Sequence, residues 1–126
     1  MIFYTCQKTT TQKREEEKDM TKENIISIYN NIKNEMVKTP VKFDRFRSCN
    51  AYIASDYLTV KDDTDNTQHS VRVIKSYETI VAFYDCTEHC FCEIGKFSPT
   101  TSKQLTQIYR EYYSSTQRVN AMYIIW

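Results

Sequence analysis

The residue types best suited to chemistry gather in one stretch, YDCTEHCFCEIG, residues 84–95. It supplies thiols and an imidazole, the usual ligands of structural zinc, at Cys86, His89, Cys90 and Cys92. Zinc sites typically use two separated pairs of ligands, whereas these four side chains crowd into one short segment. The spacing favours a hairpin over a Cys3His zinc site, which is the minor alternative, and we predict no metal and no other cofactor.

A β-strand through this stretch accounts for the same cysteines without a metal. In a strand, Cys90 and Cys92 point to one face and Phe91 to the other. Free cysteine behaves as a small apolar residue and is commonly buried. We therefore expect Cys90 and Cys92 in the core as free thiols, and Cys86 and His89 in the connecting turn.

The remaining candidates for catalysis are few and isolated. His69 stands alone before a predicted strand, where we expect an exposed edge residue. Asp62, Asp63 and Asp65 occupy a polar loop, whose acids are either solvated or a contact for a basic partner surface. The single glycine, Gly95, excludes glycine-rich phosphate loops. These patterns indicate no catalytic constellation, and we predict that the protein is not an enzyme.

Basic and aromatic residues alternate in FDRFRSCNAY, a mixture that suits base stacking with phosphate contacts. A second, smaller basic group lies on a predicted helix near residue 105. The candidate contact residues from both groups are Lys42, Arg45, Phe46, Arg47, Lys103 and Arg110. The formal net charge is only +1, so the chain lacks the basic excess of a dominant nucleic-acid binder. For FDRFRSCNAY we favour the simpler interpretation, an exposed strand whose polar face happens to be basic.

Two helices and a sheet must position these residues. Apolar residues at helical spacing, beginning with Ile25 and Ile28, predict a helix over 22–37 that Asp19 or Thr21 caps. A capping box from Thr101 predicts a second helix over 101–115.

Between the helices, residues 41–95 show a period of two with turn signals, which is typical of an antiparallel meander, and VNAMYIIW reads as a last strand. We predict a flexible tail over residues 1–19 and one α+β domain over 20–126. Its antiparallel sheet has about five or six strands, and both helices pack on one face. No apolar run approaches the roughly 20 residues of a membrane helix, so we expect a cytoplasmic protein.

The segments SYETIVAFYD and FCEIGKFSPTTSKQLTQIYREY, about residues 75–113, resemble a group of short, uncharacterised proteins of phages and mobile elements of low-GC Gram-positive bacteria. In that group a similar strand precedes a hairpin and a helix start like TTSKQ. The shared motif residues look structural, at strand ends and at a helix cap. They are Ser76, Thr79, Asp85, Thr100, Thr101 and Ser102.

The resemblance implies a context, the cytoplasm of a host bacterium, in which small non-catalytic proteins inhibit host defence. Its sharpest form is an anti-CRISPR protein that binds a Cas nuclease, a host protein or nucleoprotein partner. The alternative is a DNA- or RNA-binding accessory or regulatory protein of a mobile element, which would use Lys42, Arg45, Arg47 and the aromatics nearby.

Overall fold

The computed structural model describes residues 20–47, 49–95 and 97–121, which form two helices and seven strands. The helices are α1 (Lys22–Lys38) and α2 (Pro99–Tyr112). The strands are β1 (Phe43–Arg45), β2 (Ala51–Ala54), β3 (Leu58–Asp62), β4 (Thr67–Ser76), β5 (Thr79–Asp85), β6 (Cys90–Glu93) and β7 (Gln117–Asn120). The α+β class is confirmed; the predicted tail over 1–19 and the end of the predicted last strand lie outside the described residues.

Helix α1 forms where its apolar stripe predicts it. Ile25, Ile28 and Ile32 are fully buried along that stripe. Thr21 caps the helix, accepting from the backbone N–H of Asn24, while the Asn24 side chain accepts from the N–H of Thr21. This capping box satisfies two N–H groups that would otherwise lack a partner.

Helix α2 begins earlier than its predicted capping box. Ser98 is the N-cap, accepting from the N–H of Thr101, and Pro99 follows it at the first helical position. Proline suits that position because its missing N–H has no partner there anyway. Gln104 therefore does not serve as a cap; it is buried and accepts from the Ser76 hydroxyl at 3.2 Å.

The sheet is mixed and runs in the order β1-β2-β4-β5-β6-β7, with β3 also paired to β4. The pairs from β1 to β6 are antiparallel, as predicted, whereas β7 pairs parallel to β6. Helix α2 makes the crossover that a parallel pair requires. None of the described helices has the length and apolar character needed to span a membrane.

The two helices cover opposite faces of the sheet, so the prediction that both pack on one face is wrong. The buried stripe of α1 shares an apolar cluster with Val73 and Cys92. Leu105 of α2 shares another cluster with Ile74 and Phe91. Neighbouring residues of a strand point to opposite faces. Because β4, β5 and β6 are apolar on both faces, each face needs its own cover.

Candidate functional site

The structure separates the residues of the cysteine-rich stretch. Cys90 and Cys92 are buried on the α1 side, with their Sγ atoms 3.5 Å apart, in agreement with the strand interpretation. Cys86 lies in the connecting turn, as expected, where it belongs to the cluster on the α2 side and is disulfide-bonded. His89 lies in the turn, its Nδ1 3.4 Å from the Tyr84 hydroxyl. The four candidate zinc ligands are therefore not brought together.

A buried polar network surrounds His69, which is 4% exposed rather than an exposed edge residue. Its Nδ1 lies 2.7 Å from an oxygen of Asp85, which is fully buried. Its Nε2 lies 2.8 Å from the Thr67 hydroxyl, and that hydroxyl lies 2.6 Å from an oxygen of Asp65. Register positions the pair: β4 runs beside β5 with Asp85 opposite Val71, two residues from His69.

Counting protons identifies the charge state of His69. An ionised carboxylate only accepts hydrogen bonds, so the Thr67 hydroxyl donates to Asp65 and must accept from His69. The other ring nitrogen donates to Asp85, which makes His69 an imidazolium. The pKa of His69 is raised: burial opposes the charge, but the bond to Asp85 and the negative charges of Asp85, Glu88 and Asp62 outweigh it.

The series Thr67, His69, Asp85 has the layout of a nucleophile, its base and the group that orients the base. A general base must, however, offer a free lone pair to the hydroxyl. Nε2 of His69 instead donates to Thr67, whose own proton is directed at Asp65. This arrangement stabilises charges and does not activate Thr67.

Asp62 extends the network towards α1. One oxygen each of Asp62 and Asp65 and one nitrogen of His69 lie within 4.8 Å of one another, a group of atom types that suits a cation. Both Asp62 oxygens already accept hydrogen bonds, one from Asn24 at 2.9 Å and one from the N–H of Thr64 at 2.9 Å. Because these oxygens already accept hydrogen bonds within the protein, we assign the cluster a structural role and not a role in binding a cation.

The predicted acidic loop is thus divided. Asp62 is buried, whereas Asp63 and Asp65 are exposed. Asp63 accepts from the Asn31 side chain at 3.1 Å, and its N–H donates to Ser27 at 2.8 Å. These bonds hold the loop against α1, and the carboxylates of Asp63 and Asp65 remain on the surface.

The basic–aromatic stretch is divided as well. Phe46 is 3% exposed in the cluster on the α2 side. Arg47 forms an ion pair with Glu111 of α2. Lys42 is exposed before β1, and Arg45 is exposed on the strand itself. Phe46 and Arg47 therefore point towards α2, whereas Arg45, although exposed, donates from its Nε to the Cys49 carbonyl at 2.8 Å.

A second grouping replaces it on the α1 side of the sheet, which we name the aromatic–basic face: Phe43, Arg45, Tyr52 and Lys75. Arg45 lies opposite Tyr52, and Tyr52 lies opposite Lys75. The Lys75 ammonium lies 4.3 Å from the centre of the Phe43 ring and 5.8 Å from that of Tyr52. Sequence reasoning missed Lys75, although the alternation of β4 places it on the same face as the buried Val73.

The second predicted basic group lies elsewhere. Lys103 and Arg110 are exposed on α2, which covers the opposite face of the sheet. Arg118 near them is engaged by Glu93 at 2.7 Å. These cations do not extend the aromatic–basic face.

Fold and site together define a small α+β protein with a mixed sheet, a buried charge network and a partly open aromatic–basic face. The chain belongs to a family of unknown function, DUF8033, whose model matches residues 3–122. No curated protein and no solved structure matches the chain.

Proposed function

We propose that the protein is a non-catalytic nucleic-acid-binding protein and that its contact surface is the aromatic–basic face. The observation that carries the proposal is the placement of Lys75 against two aromatic rings, Phe43 and Tyr52. These three residues are half-buried, and Arg45 beside them is exposed. Rings and cations on one sheet face supply both parts of nucleic-acid contact, base stacking and phosphate pairing.

The charge distribution sets the expected strength of this contact. Arg45 and Lys75 contribute two cations, and Glu78 partly offsets them, 3.7 Å from the Lys75 ammonium and 95% exposed. Asp44 of β1 points to the other face and accepts from Ser55. With a net charge of +1 for the whole chain, binding should be weak and strongly salt-dependent.

The proposal is tested by fluorescence anisotropy with labelled oligonucleotides in about 50 mM salt, at protein concentrations up to about 100 µM. We expect a complex that Lys75→Gln weakens. Lys103→Gln is the matched control, because it removes an exposed cation from the opposite side of the sheet. If no oligonucleotide is bound, or if both variants weaken binding equally, the aromatic–basic face is not a nucleic-acid surface.

A second candidate function is inhibition of a host-defence component, in its sharpest form an anti-CRISPR protein acting on a Cas nuclease. It is supported by the resemblance to phage proteins and by two large exposed tyrosines, Tyr77 at 59% and Tyr112 at 55%. Tyrosine is enriched in protein interfaces. The test is DNA cleavage by purified Cas effectors with and without the protein. Uninhibited cleavage and no co-elution with several effector types would exclude this form.

A further inference from the structure

We infer that the aromatic–basic face takes single-stranded rather than duplex nucleic acid, with Lys75 exchanging its ring contacts for a phosphate as a base stacks on Tyr52. The inference rests on the proposed function and specifies its ligand. The two rings, Phe43 and Tyr52, lie on adjacent strands of one sheet face.

The two rings lie on the surface of the sheet and do not belong to an element that projects from it. Phe43 lies opposite Ala54, and Tyr52 lies two residues before Ala54 on β2. The rings are therefore diagonal neighbours, with their Cβ atoms about 7 Å apart. Phe43 packs against the apolar cluster beneath α1, whereas Tyr52 is not part of that cluster, so Tyr52 is the ring on which a base from solvent would stack.

Duplex nucleic acid does not present such a group. Inside a duplex, both faces of each base are covered by neighbouring bases, so a ring on a sheet finds base faces only at strand ends. Reading a groove instead requires an element that projects into it. Here α1 and α2 pack their apolar stripes against the two sides of the sheet. Unpaired bases are therefore the form that this face suits.

Lys75 occupies the place that a base would need. Its ammonium lies over the ring of Phe43 and within reach of Tyr52, and its side chain is 20% exposed. Its ion-pair partner Glu78 is almost fully exposed, and such pairs hold weakly. A phosphate gives the ammonium a stronger, charge-assisted contact. The ammonium then leaves the rings, and the face of Tyr52 becomes available for stacking.

The test compares three labelled probes of one sequence by anisotropy: single-stranded DNA of about 12 nucleotides, the matching RNA, and the DNA duplex. We expect the single strands to bind about tenfold more tightly than the duplex. Tyr52→Ala should weaken single-strand binding about tenfold, while Tyr52→Phe, which keeps the ring, should bind as the wild type does. The DNA and RNA probes show whether the 2′-hydroxyl contributes.

Lys75 has a separate signature. Lys75→Gln should reduce the slope of log K against log salt by about 0.7 for single strands, the value for one phosphate contact. Lys103→Gln should leave that slope unchanged.

Equal binding of duplex and single strand, or normal binding by Tyr52→Ala, overturns the inference and leaves nucleic-acid binding standing. Binding of none of the probes overturns the proposed function as well. Circular dichroism of each variant separates loss of contact from loss of folding.

Discussion

The positive charge of His69 compensates the negative charges of two buried carboxylates, Asp85 and Asp62. Its folded pKa lies above the ordinary value of 6.5. A group with a raised folded pKa stabilises the fold fully below its unfolded pKa, and that contribution is lost as the pH rises through the folded pKa. We therefore expect the free energy of unfolding to fall as the pH increases from about 6.5 upward.

The measurement is urea unfolding across this pH range, with variants of the two histidines. His69→Gln should lower the free energy of unfolding by about 3 kcal/mol, because it leaves Asp85 buried without its charged partner. It should also remove the dependence on pH above 6.5. His89→Gln is the control, since His89 is the second of the two histidines in the chain and lies in a turn. The same pH slope in His69→Gln and wild type would contradict the imidazolium assignment.

Cys92 should be chemically inert while the protein is folded. Burial raises the pKa of this thiol well above its usual range, and Cys90 beside it adds to the effect. The thiolate is the reactive form. We expect iodoacetamide at pH 8 to modify the half-exposed Cys49 in the folded protein and Cys92 only after unfolding. Peptide mass spectrometry measures both sites in one sample, and similar labelling of the two in folded protein would refute the prediction.

Sequence reasoning succeeded for residues whose environment follows from local periodicity, and it failed for those defined by distant partners. Alternation alone placed Cys90 and Cys92 on one face, as the structure has them. The alternation of β4 places His69 on the same face as Val71 and Val73, but its partner Asp85 lies 16 residues away in the sequence. Only the pairing of β4 with β5 brings the two together, and one sequence does not reveal that register.

At the scale of elements, the turn between β4 and β5 holds one residue in an unfavourable backbone conformation, and a substitution can relieve it. The turn consists of Tyr77 and Glu78, between the paired Ser76 and Thr79. Tyr77 has a φ of 57°, in the left-handed region that side chains with a Cβ disfavour. Asparagine tolerates this region better than other residues. Tyr77→Asn should therefore raise the free energy of unfolding by about 1 kcal/mol.

Tyr77→Ala is the matched control, because alanine removes the ring but keeps the disfavoured Cβ. Tyr77 is 59% exposed, so little buried surface is lost in either variant. Urea unfolding at fixed pH should show a higher midpoint for Tyr77→Asn than for Tyr77→Ala. Equal midpoints would mean that the turn conformation contributes no strain.

Elements with strong local signals were predictable, and their long-range pairing was not. The apolar stripe and cap of α1 identified it to within a residue at its C-terminal end. For α2, Thr101 and Gln104 have the spacing of a capping box but do not form one. The N-cap is Ser98, and Pro99 at the first helical position was the sequence signal for it. The parallel pairing of β7 with β6 depends on the crossover through α2. The alternation of residues within one strand does not reveal the direction in which that strand pairs.

At the scale of the molecule, one sheet lies between two apolar clusters, and its strands contribute side chains to both. Phe83 of β5 lies in the cluster beneath α1, and its neighbours Ala82 and Tyr84 lie in the cluster beneath α2. Loss of either helix would expose one apolar side of the strands against which the other helix also packs. The two faces should therefore unfold together, as small domains generally do.

This cooperativity is open to a direct test with one truncation on each face. Ile32→Ala in α1 and Ile108→Ala in α2 each remove a fully buried side chain and should each cost about 3 kcal/mol. In hydrogen exchange, either change should lower the protection of the slowest amides in both helices by the same amount. Val37→Ala, at a residue of α1 that is 87% exposed, should change protection by less than about 0.5 kcal/mol. If α2 kept its full protection in Ile32→Ala, the two faces would be independent units, and β4 and β5 would not couple them.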